Sequence, residues 1–189
     1  MTQPPPHPPA LTVALPRSLV LVGLMGAGKS SVGKALAKRL NLPFYDSDQE
    51  IEAAAGCSVS DIFARDGEAA FRTAEYQVVR RLINNPALGV IATGGGAFVQ
   101  PRTHDLIQSC ALSLWLNVPV DILCERTARH NTRPLLRHGD PREILTRLLA
   151  ERGPVYATAH LELSAGDTSV EETAGQALAL LQHYLETKS

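Results

Sequence analysis

One segment of eight residues has the pattern of a loop that binds nucleotide phosphates. Residues 23–30 read Gly-Leu-Met-Gly-Ala-Gly-Lys-Ser, which fits G-x-x-x-x-G-K-[ST]. The apolar run Leu19–Val22 precedes the segment and is typical of a strand, and residues 29–40 follow with apolar side chains at helical spacing. The order of strand, glycine loop and helix is the context in which this pattern binds a nucleoside triphosphate.

The residue types in this loop suit a triphosphate. Glycines allow the backbone to turn so that successive N–H groups point at phosphate oxygens, and the following helix adds partial positive charge at its start. We expect Lys29 to reach the β- and γ-phosphates and the Ser30 hydroxyl to bind Mg²⁺. A glycine turn with an incidental lysine is the alternative, which the flanking elements disfavour. The predicted nucleotide contacts in the loop are Gly26, Ala27, Gly28, Lys29, Ser30 and Ser31.

Two carboxylates follow the second predicted strand, in the sequence Phe-Tyr-Asp-Ser-Asp at 44–48. Ligands of open α/β sheets bind beyond the carboxyl ends of the strands, so Asp46 and Asp48 should lie beside the phosphate loop. If the chain stays extended, both side chains point to the same side. One carboxylate can then organise Mg²⁺ through water while the other accepts a proton from an attacking hydroxyl. The alternative is a structural role, with Asp48 as the N-cap of the next helix.

Three consecutive glycines follow the third predicted strand. Gly94, Gly95 and Gly96 lie between Thr93 and Ala97, where they expose backbone donors and allow a ligand to approach the main chain. A flexible loop without a ligand is the alternative. Many phosphate-loop proteins place an aspartate after this strand to help hold Mg²⁺; here there is none, so Asp46 is the predicted metal partner.

Arginines indicate an anionic substrate. Arg72 lies in a helical stretch three residues before Glu75, so that the two share a face. The pair is either a surface ion pair of small value or a guanidinium held ready to bind a carboxylate through two hydrogen bonds. Arg133 precedes Pro134, which favours an extended backbone from which it can swing over phosphates. The further arginines in this part of the chain are Arg126, Arg137 and Arg152.

These residues are distributed over alternating short apolar runs and longer helical patterns, which predict βαβ units and a parallel sheet. The predicted strands are Leu19–Val22, Pro43–Tyr45, Gly89–Ala92, Leu112–Leu116 and Leu161–Leu163. The predicted helices are Lys29–Leu40, Gln49–Ala55, a pair between Val59 and Ile83, Pro101–Ser109, Val118–Arg129, Pro141–Ala157 and Val170–Thr187.

The domain organisation is simple. The proline-rich residues 1–16 read as a disordered tail, and residues 17–189 as a single domain without repeats or a second boundary. The polar stretch from His130 to Asp140, rich in Arg and His, predicts a mobile lid at about 126–140. The lack of an obvious apolar surface stripe favours a monomer.

The composition argues against several classes of partner and site. The net charge is −1, so the chain lacks a long-range field that would attract nucleic acid or an anionic membrane. No apolar run approaches the roughly 20 residues of a membrane span, and the start lacks the features of a signal peptide. Cys57, Cys110 and Cys124 are widely spaced, which predicts small buried side chains in a reducing cytoplasm and neither a disulfide framework nor a zinc site.

Taken together, six motifs resemble the shikimate kinase family, which is similar to the nucleoside monophosphate kinases. The match covers about Leu19 to Leu185. Besides the phosphate loop and F-Y-D-S-D at 44–48, it comprises F-R-x-x-E at 71–75, T-G-G-G-A at 93–97, R-P-L-L at 133–136 and E-R-G-P-V-Y at 151–156. The resemblance implies a three-layer α/β/α sandwich of phosphate-loop kinase type, with a five-stranded parallel sheet and a mobile lid.

The resemblance also implies a reaction, the transfer of the γ-phosphoryl group of ATP to the 3-hydroxyl of shikimate with Mg²⁺. By residue, Lys29, Asp48 and Arg133 would be catalytic, with Asp48 binding the substrate hydroxyls as the candidate base and Arg133 reaching the ATP phosphates from the lid. The remaining implied roles are a clamp on the shikimate carboxylate (Arg72, Arg152), a lining for the ring (Gly94, Gly95, Gly96), stacking near adenine (Arg126) and Mg²⁺ binding (Ser30, Asp46).

Two other functions stay open on the sequence alone. A gluconate-kinase-like enzyme would share the fold, the loop and a carboxylate substrate, although the F-R-x-x-E and T-G-G-G motifs favour shikimate. A non-catalytic module that senses a metabolite would usually carry a DNA-binding domain, for which the 16-residue tail offers no room. One departure from the family is the segment 164–167, which carries no arginine near the adenine site.

Overall fold

The computed structural model of the chain describes residues 14–128 and 139–188. Arg133, Arg137 and most of the predicted lid therefore lie outside the described residues, as do residues 1–13 of the predicted tail. Leu15, which the sequence assigns to the tail, is partly buried and packs against the hydrophobic core.

Five parallel strands form one sheet in the order β2-β3-β1-β4-β5. Each boundary lies within one residue of its predicted place, which confirms the strand predictions. The strands are β1 Leu19–Val22, β2 Phe44–Asp46, β3 Val90–Ala92, β4 Leu112–Asn117 and β5 Leu161–Ser164.

Helices cover both faces of the sheet. All four side chains of β1 are 0% exposed, although successive residues of a strand point to opposite faces, so both faces must be covered. The helices are α1 Lys29–Leu40, α2 Ser47–Ala55, α3 Val59–Ile83, α4 Pro101–Cys110, α5 Val120–Ala128, α6 Pro141–Tyr156 and α7 Val170–Lys188. The architecture is the predicted three-layer α/β/α sandwich around a five-stranded parallel sheet.

Small differences from the predicted helices have local causes. Helix α5 begins at Val120 and not at Val118, because Pro119 disfavours helical backbone at the residue before it. The predicted pair between 59 and 83 is confirmed, because α3 consists of two helical segments that meet at Gly67, whose φ of 80° and ψ of 175° interrupt the helix. Helix α2 begins at Ser47, two residues before the predicted start, for a reason found in the site below.

The cysteines correct one expectation. All three are free thiols, as predicted, but Cys57 and Cys124 are only partly buried and Cys110, at the end of α4, is exposed. They are therefore not buried core side chains. Among the described residues, no helix combines the length and apolar character that crossing a membrane requires.

Candidate active site

The phosphate loop joins β1 to α1 and closes around the lysine. Gly26 and Gly28 have φ of 80° and 88°, a left-handed conformation that favours glycine. At Gly26 a side chain would also collide, since an ideal Cβ atom would lie 2.8 Å from Cγ2 of Thr127. The Lys29 side chain is 8% exposed, and its Nζ donates to the carbonyl oxygens of Gly23 and Leu24, both at 2.8 Å. The ammonium is thereby held within the loop.

Asp46 connects the phosphate loop to the start of α2. Its Oδ2 accepts a hydrogen bond of 2.6 Å from the Ser30 hydroxyl, while Oδ1 accepts from the backbone N–H groups of Asp48 and Gln49. Asp46 is thus the N-cap of α2, and the alternative of Asp48 as the cap is wrong. Because the cap ends the strand, the chain does not stay extended to Asp48, which lies in the first turn of the helix.

The donor set beside the loop suits Mg²⁺. This ion prefers oxygen ligands, and it usually keeps several waters and binds few protein groups together with substrate phosphates. Ser30 Oγ and Asp46 Oδ2 are adjacent oxygens of that kind. Among the residues that the structure describes, no group of three or more His, Cys, Asp or Glu could form a cage for a metal made of protein ligands alone.

Two carboxylates meet over Gly94. An ideal Cβ atom at Gly94 would lie 2.8 Å from Asp48 Oδ1 and 3.1 Å from Glu75 Oε1. Gly94 N–H donates to the Ser47 hydroxyl at 3.2 Å, which ties this turn to α2. The sequence identified Glu75 only as a partner of Arg72; its approach to Asp48 joins α2 and α3 and has no signal in the local pattern.

Arg72 lies over Gly96. Its guanidinium donates to Glu75 at 2.8 Å and to Glu68 at 3.2 Å, and an ideal Cβ atom at Gly96 would lie 2.6 Å from Nη2 of Arg72. Burial opposes charge on the arginine, but Glu75 and Glu68 together outweigh this effect and raise the pKa of Arg72. Burial raises the pKa of the Glu75 carboxyl. The charge of Arg72 opposes this rise, and the charge of Asp48 adds to it. The pair is not an exposed surface pair, because the Glu75 side chain is 1% exposed.

Helix α6 reaches the same turn from another side. Arg152 Nη1 donates to the Gly95 carbonyl oxygen at 3.3 Å, and the Tyr156 hydroxyl donates to the same oxygen. The structure therefore brings Arg72 and Arg152, which the sequence paired, to neighbouring residues of one glycine turn. Tyr156 was not among the predicted site residues; it stands in the E-R-G-P-V-Y motif, which is its only signal in the sequence.

A cavity of about 490 Å³ lies beside the phosphate loop, and Asp48 and the glycine turn form one end of its wall. Arg126 forms part of its wall, where Nη2 donates to the Gly166 carbonyl oxygen at 3.3 Å. The residues that line it are 26–32, Asp46, Asp48, 93–95, Arg126, Thr127, 167–170 and Thr173. Residues 167–170 and Thr173 were not predicted. Arg72, Gly96 and Arg152 do not line this cavity but lie around the adjoining end of the glycine turn.

Comparison with known proteins gives a consistent result. A family model described as shikimate kinase matches residues 25–182. A shikimate kinase from Paramagnetospirillum magneticum is 49% identical over 178 residues, which cover 94% of this chain and 91% of the relative. One from Caulobacter vibrioides is 52% identical over 152 residues, covering 80% and 76%.

Solved structures of shikimate kinases are also similar to this chain. A shikimate kinase from Acinetobacter baumannii in complex with shikimate has a TM-score of 0.84 and 38% identity, covering 91% of this chain and 94% of that one. A shikimate kinase from Aquifex aeolicus has a TM-score of 0.76 and 30% identity over 89% and 98%.

Proposed function

Because this chain belongs to the shikimate kinase family, we propose that it transfers the γ-phosphoryl group of ATP to the 3-hydroxyl of shikimate, forming shikimate 3-phosphate and ADP. The family is one of ATP-dependent kinases, so ATP is the co-substrate. The relative from Acinetobacter baumannii was solved in complex with shikimate, which supports the same acceptor here.

One observation carries this proposal: three elements deliver complementary charges to one glycine turn beside the phosphate loop. Asp48 of α2 lies at Gly94, Arg152 of α6 at Gly95 and Arg72 of α3 at Gly96. The carboxylate lies at the first glycine of the turn, which borders the phosphate cavity, and the two arginines lie at the next two glycines. This polarity suits a small acceptor with a hydroxyl at one end and a carboxylate at the other.

Each group has a proposed task. The guanidinium groups of Arg72 and Arg152 bind the shikimate carboxylate, and the glycine turn lines the ring. The loop amides of residues 26–31 and Lys29 bind the phosphates, while Arg126 lies against the adenine. Arg133, outside the described residues, is proposed to reach the phosphates from the lid.

The chemical step needs little beyond positioning. The shikimate 3-oxygen forms a bond to the γ-phosphorus as the bond between that phosphorus and the β,γ-bridging oxygen breaks, and ADP leaves. Asp48 accepts or orients the proton of the attacking hydroxyl. Lys29 neutralises charge that develops on the transferred group. Holding both reactants in adjoining sites replaces an encounter in solution, which lowers the entropic part of the barrier.

Ser30 and Asp46 are the residues proposed to hold Mg²⁺, directly and through water. When bound, the ion supplies neutralisation of the β- and γ-phosphate oxygens. The hydrogen bond between the two side chains keeps their oxygens on the same side of the loop. We further propose that the enzyme acts in the cytoplasm, where ATP is available, as a monomer that binds neither nucleic acid nor membrane.

An assay of ADP release with two acceptors tests the function. With MgATP, we expect saturable turnover of shikimate and negligible turnover of gluconate. Good turnover of gluconate beside negligible turnover of shikimate would identify a sugar-acid kinase. Binding of MgATP and shikimate without ADP release would favour the non-catalytic sensor. Shikimate kinases that are 49% and 52% identical to this chain support shikimate as the acceptor over gluconate, and a kinase over a non-catalytic sensor.

A further inference from the structure

Two donors from one helix hold a single carbonyl oxygen in the candidate substrate site. Arg152 and Tyr156 are four residues apart on α6 and so project from the same face. Both donate to the Gly95 carbonyl oxygen, the arginine through Nη1 at 3.3 Å and the tyrosine through its hydroxyl. The carbonyl lies in the middle of the glycine turn, between the residues that face Asp48 and Arg72.

The tyrosine is far more restricted than the arginine. Tyr156 is 0% exposed, and its ring lies 5.9 Å from Trp115 and 6.5 Å from Phe98, measured between centroids. A buried aromatic side chain packed in this way has little rotational freedom, whereas an arginine has four flexible bonds. The Tyr156 hydroxyl is therefore a donor with a fixed position, and its hydrogen bond fixes the position of the Gly95 carbonyl.

Fixing this carbonyl also fixes the next amide. The described peptide bonds are all trans, so the Gly95 C=O and the Gly96 N–H point in opposite directions from one rigid plane. Glycines tolerate many backbone angles, and the 95–96 peptide would rotate easily without an anchor. Among the backbone hydrogen bonds of the described residues, the Gly96 N–H donates to no acceptor. It belongs to the residue over which the Arg72 guanidinium lies.

We propose that Tyr156 is a positioning residue for the acid end of the substrate: its hydroxyl locks the 95–96 peptide, which keeps Arg152 and the Gly96 amide set for the carboxylate. This inference rests on the proposed function, since it requires a carboxylate between Arg72 and Arg152. Tyr156 itself does not touch the substrate in this proposal.

The protonation of Tyr156 is compatible with this role. Burial raises the pKa of its phenol above the usual value, although Arg152 opposes the rise. The hydroxyl therefore keeps its proton, and remains a donor to Gly95, at every pH at which the enzyme would be assayed.

The test is Tyr156→Phe, which removes the hydroxyl and keeps the ring that packs against Phe98 and Trp115. The matched control is Tyr45→Phe in β2, which also removes a partly buried hydroxyl that has a partner, the Asn85 side chain at 3.3 Å. The Tyr45 ring lies beside Gly89, just before β3 and away from the glycine turn. Steady-state constants for shikimate and for MgATP are measured for both variants and the wild type, together with thermal midpoints.

We expect Tyr156→Phe to raise KM for shikimate about five- to tenfold, the effect of one buried hydrogen bond, with kcat and KM for MgATP within about twofold of wild type. Tyr45→Phe should leave all three constants unchanged. An unchanged KM for shikimate in Tyr156→Phe, with or without a lower thermal midpoint, would overturn the proposal. So would a fall in kcat at unchanged KM. If the wild type itself does not phosphorylate shikimate, the proposed function fails first, which is a separate result.

Discussion

Asp48 and Glu75 both approach within about 3 Å of the place where Gly94 would carry a side chain, at 2.8 Å and 3.1 Å. They come from different helices and meet only because the turn after β3 has no Cβ atom between them. Arg72 neutralises Glu75 through a hydrogen bond of 2.8 Å. Asp48 lies at the end of this cluster that lines the phosphate cavity.

Gly94→Ala tests whether this arrangement requires glycine. A Cβ atom so close to two carboxylate oxygens must displace at least one of them, and overpacking of this kind costs about 1–3 kcal/mol. We expect kcat/KM for shikimate to fall by a factor of about ten or more. The control is Gly153→Ala in α6, where the nearest atom would be a Leu149 methyl group at 3.9 Å. Equal activity of the two variants would show that the cluster tolerates displacement.

Lys29→Met tests the phosphate loop while it preserves the length of the side chain. Loss of the ammonium removes the charge that stabilises the transferred group, and we expect kcat to fall about 10²- to 10³-fold. The control is Lys38→Ala, an exposed lysine on the same helix. Because Lys29 also donates to the carbonyls of Gly23 and Leu24, circular dichroism should accompany the assay. A kcat near wild type in a folded Lys29→Met variant would contradict the role.

Asp48→Asn tests the carboxylate beside the cavity. The amide keeps the shape but cannot accept a proton as a base, so we expect kcat to fall about 10²- to 10⁴-fold. Binding of ATP, measured by calorimetry, should persist because the phosphates are held elsewhere. Asp105→Asn, an exposed carboxylate on α4, is the control. If kcat in Asp48→Asn stayed at the wild-type value, Asp48 would have no part in the chemical step.

Arg72→Ala tests the proposed binding of the shikimate carboxylate by Arg72 and Arg152. We expect KM for shikimate to rise about 30-fold or more, since the arginine is proposed to bind the carboxylate in a partly buried site. The variant should also be less stable by about 3 kcal/mol, because Glu75 is left buried without its cation. Arg65→Ala removes an exposed arginine of the same helix as a control. Intact KM for shikimate in Arg72→Ala would remove this residue from the substrate site.

His160 predicts a dependence of stability on pH that is unrelated to the active site. Its Nδ1 accepts a hydrogen bond of 3.2 Å from the Ser113 N–H and so carries no proton. Burial, with Arg17 nearby, lowers the pKa of His160. The unfolded chain therefore takes up the proton first as pH falls below about 6.5, and stability is lost in that range.

Thermal midpoints measured from pH 8 to pH 5 check whether stability falls as the pH falls. We expect them to fall with pH in the wild type and to fall less steeply in His160→Gln. The exposed His183 supplies the control, and His183→Gln should follow the wild-type curve. A flat curve for the wild type would show that His160 titrates alike in both states.

Local sequence patterns were sufficient for much of this molecule. The strands lie within one residue of prediction because apolar runs and their flanking turns act over a few neighbours. Helix α1 has its predicted bounds, Lys29–Leu40, for the same reason. The start of α2 was misplaced because capping depends on which aspartate has the geometry to accept two N–H groups, and Asp46 is the one that does.

The sequence by itself determined the phosphate loop, the order of the elements and the identity of the charged side chains, since these depend on residues adjacent in the chain. Only the tertiary structure decided that Glu75 faces Asp48 and that Tyr156 and Arg152 share the Gly95 carbonyl. Such contacts join helices and turns that are distant in sequence. Their geometry follows from the strand order and the packing of whole helices, which no short pattern encodes.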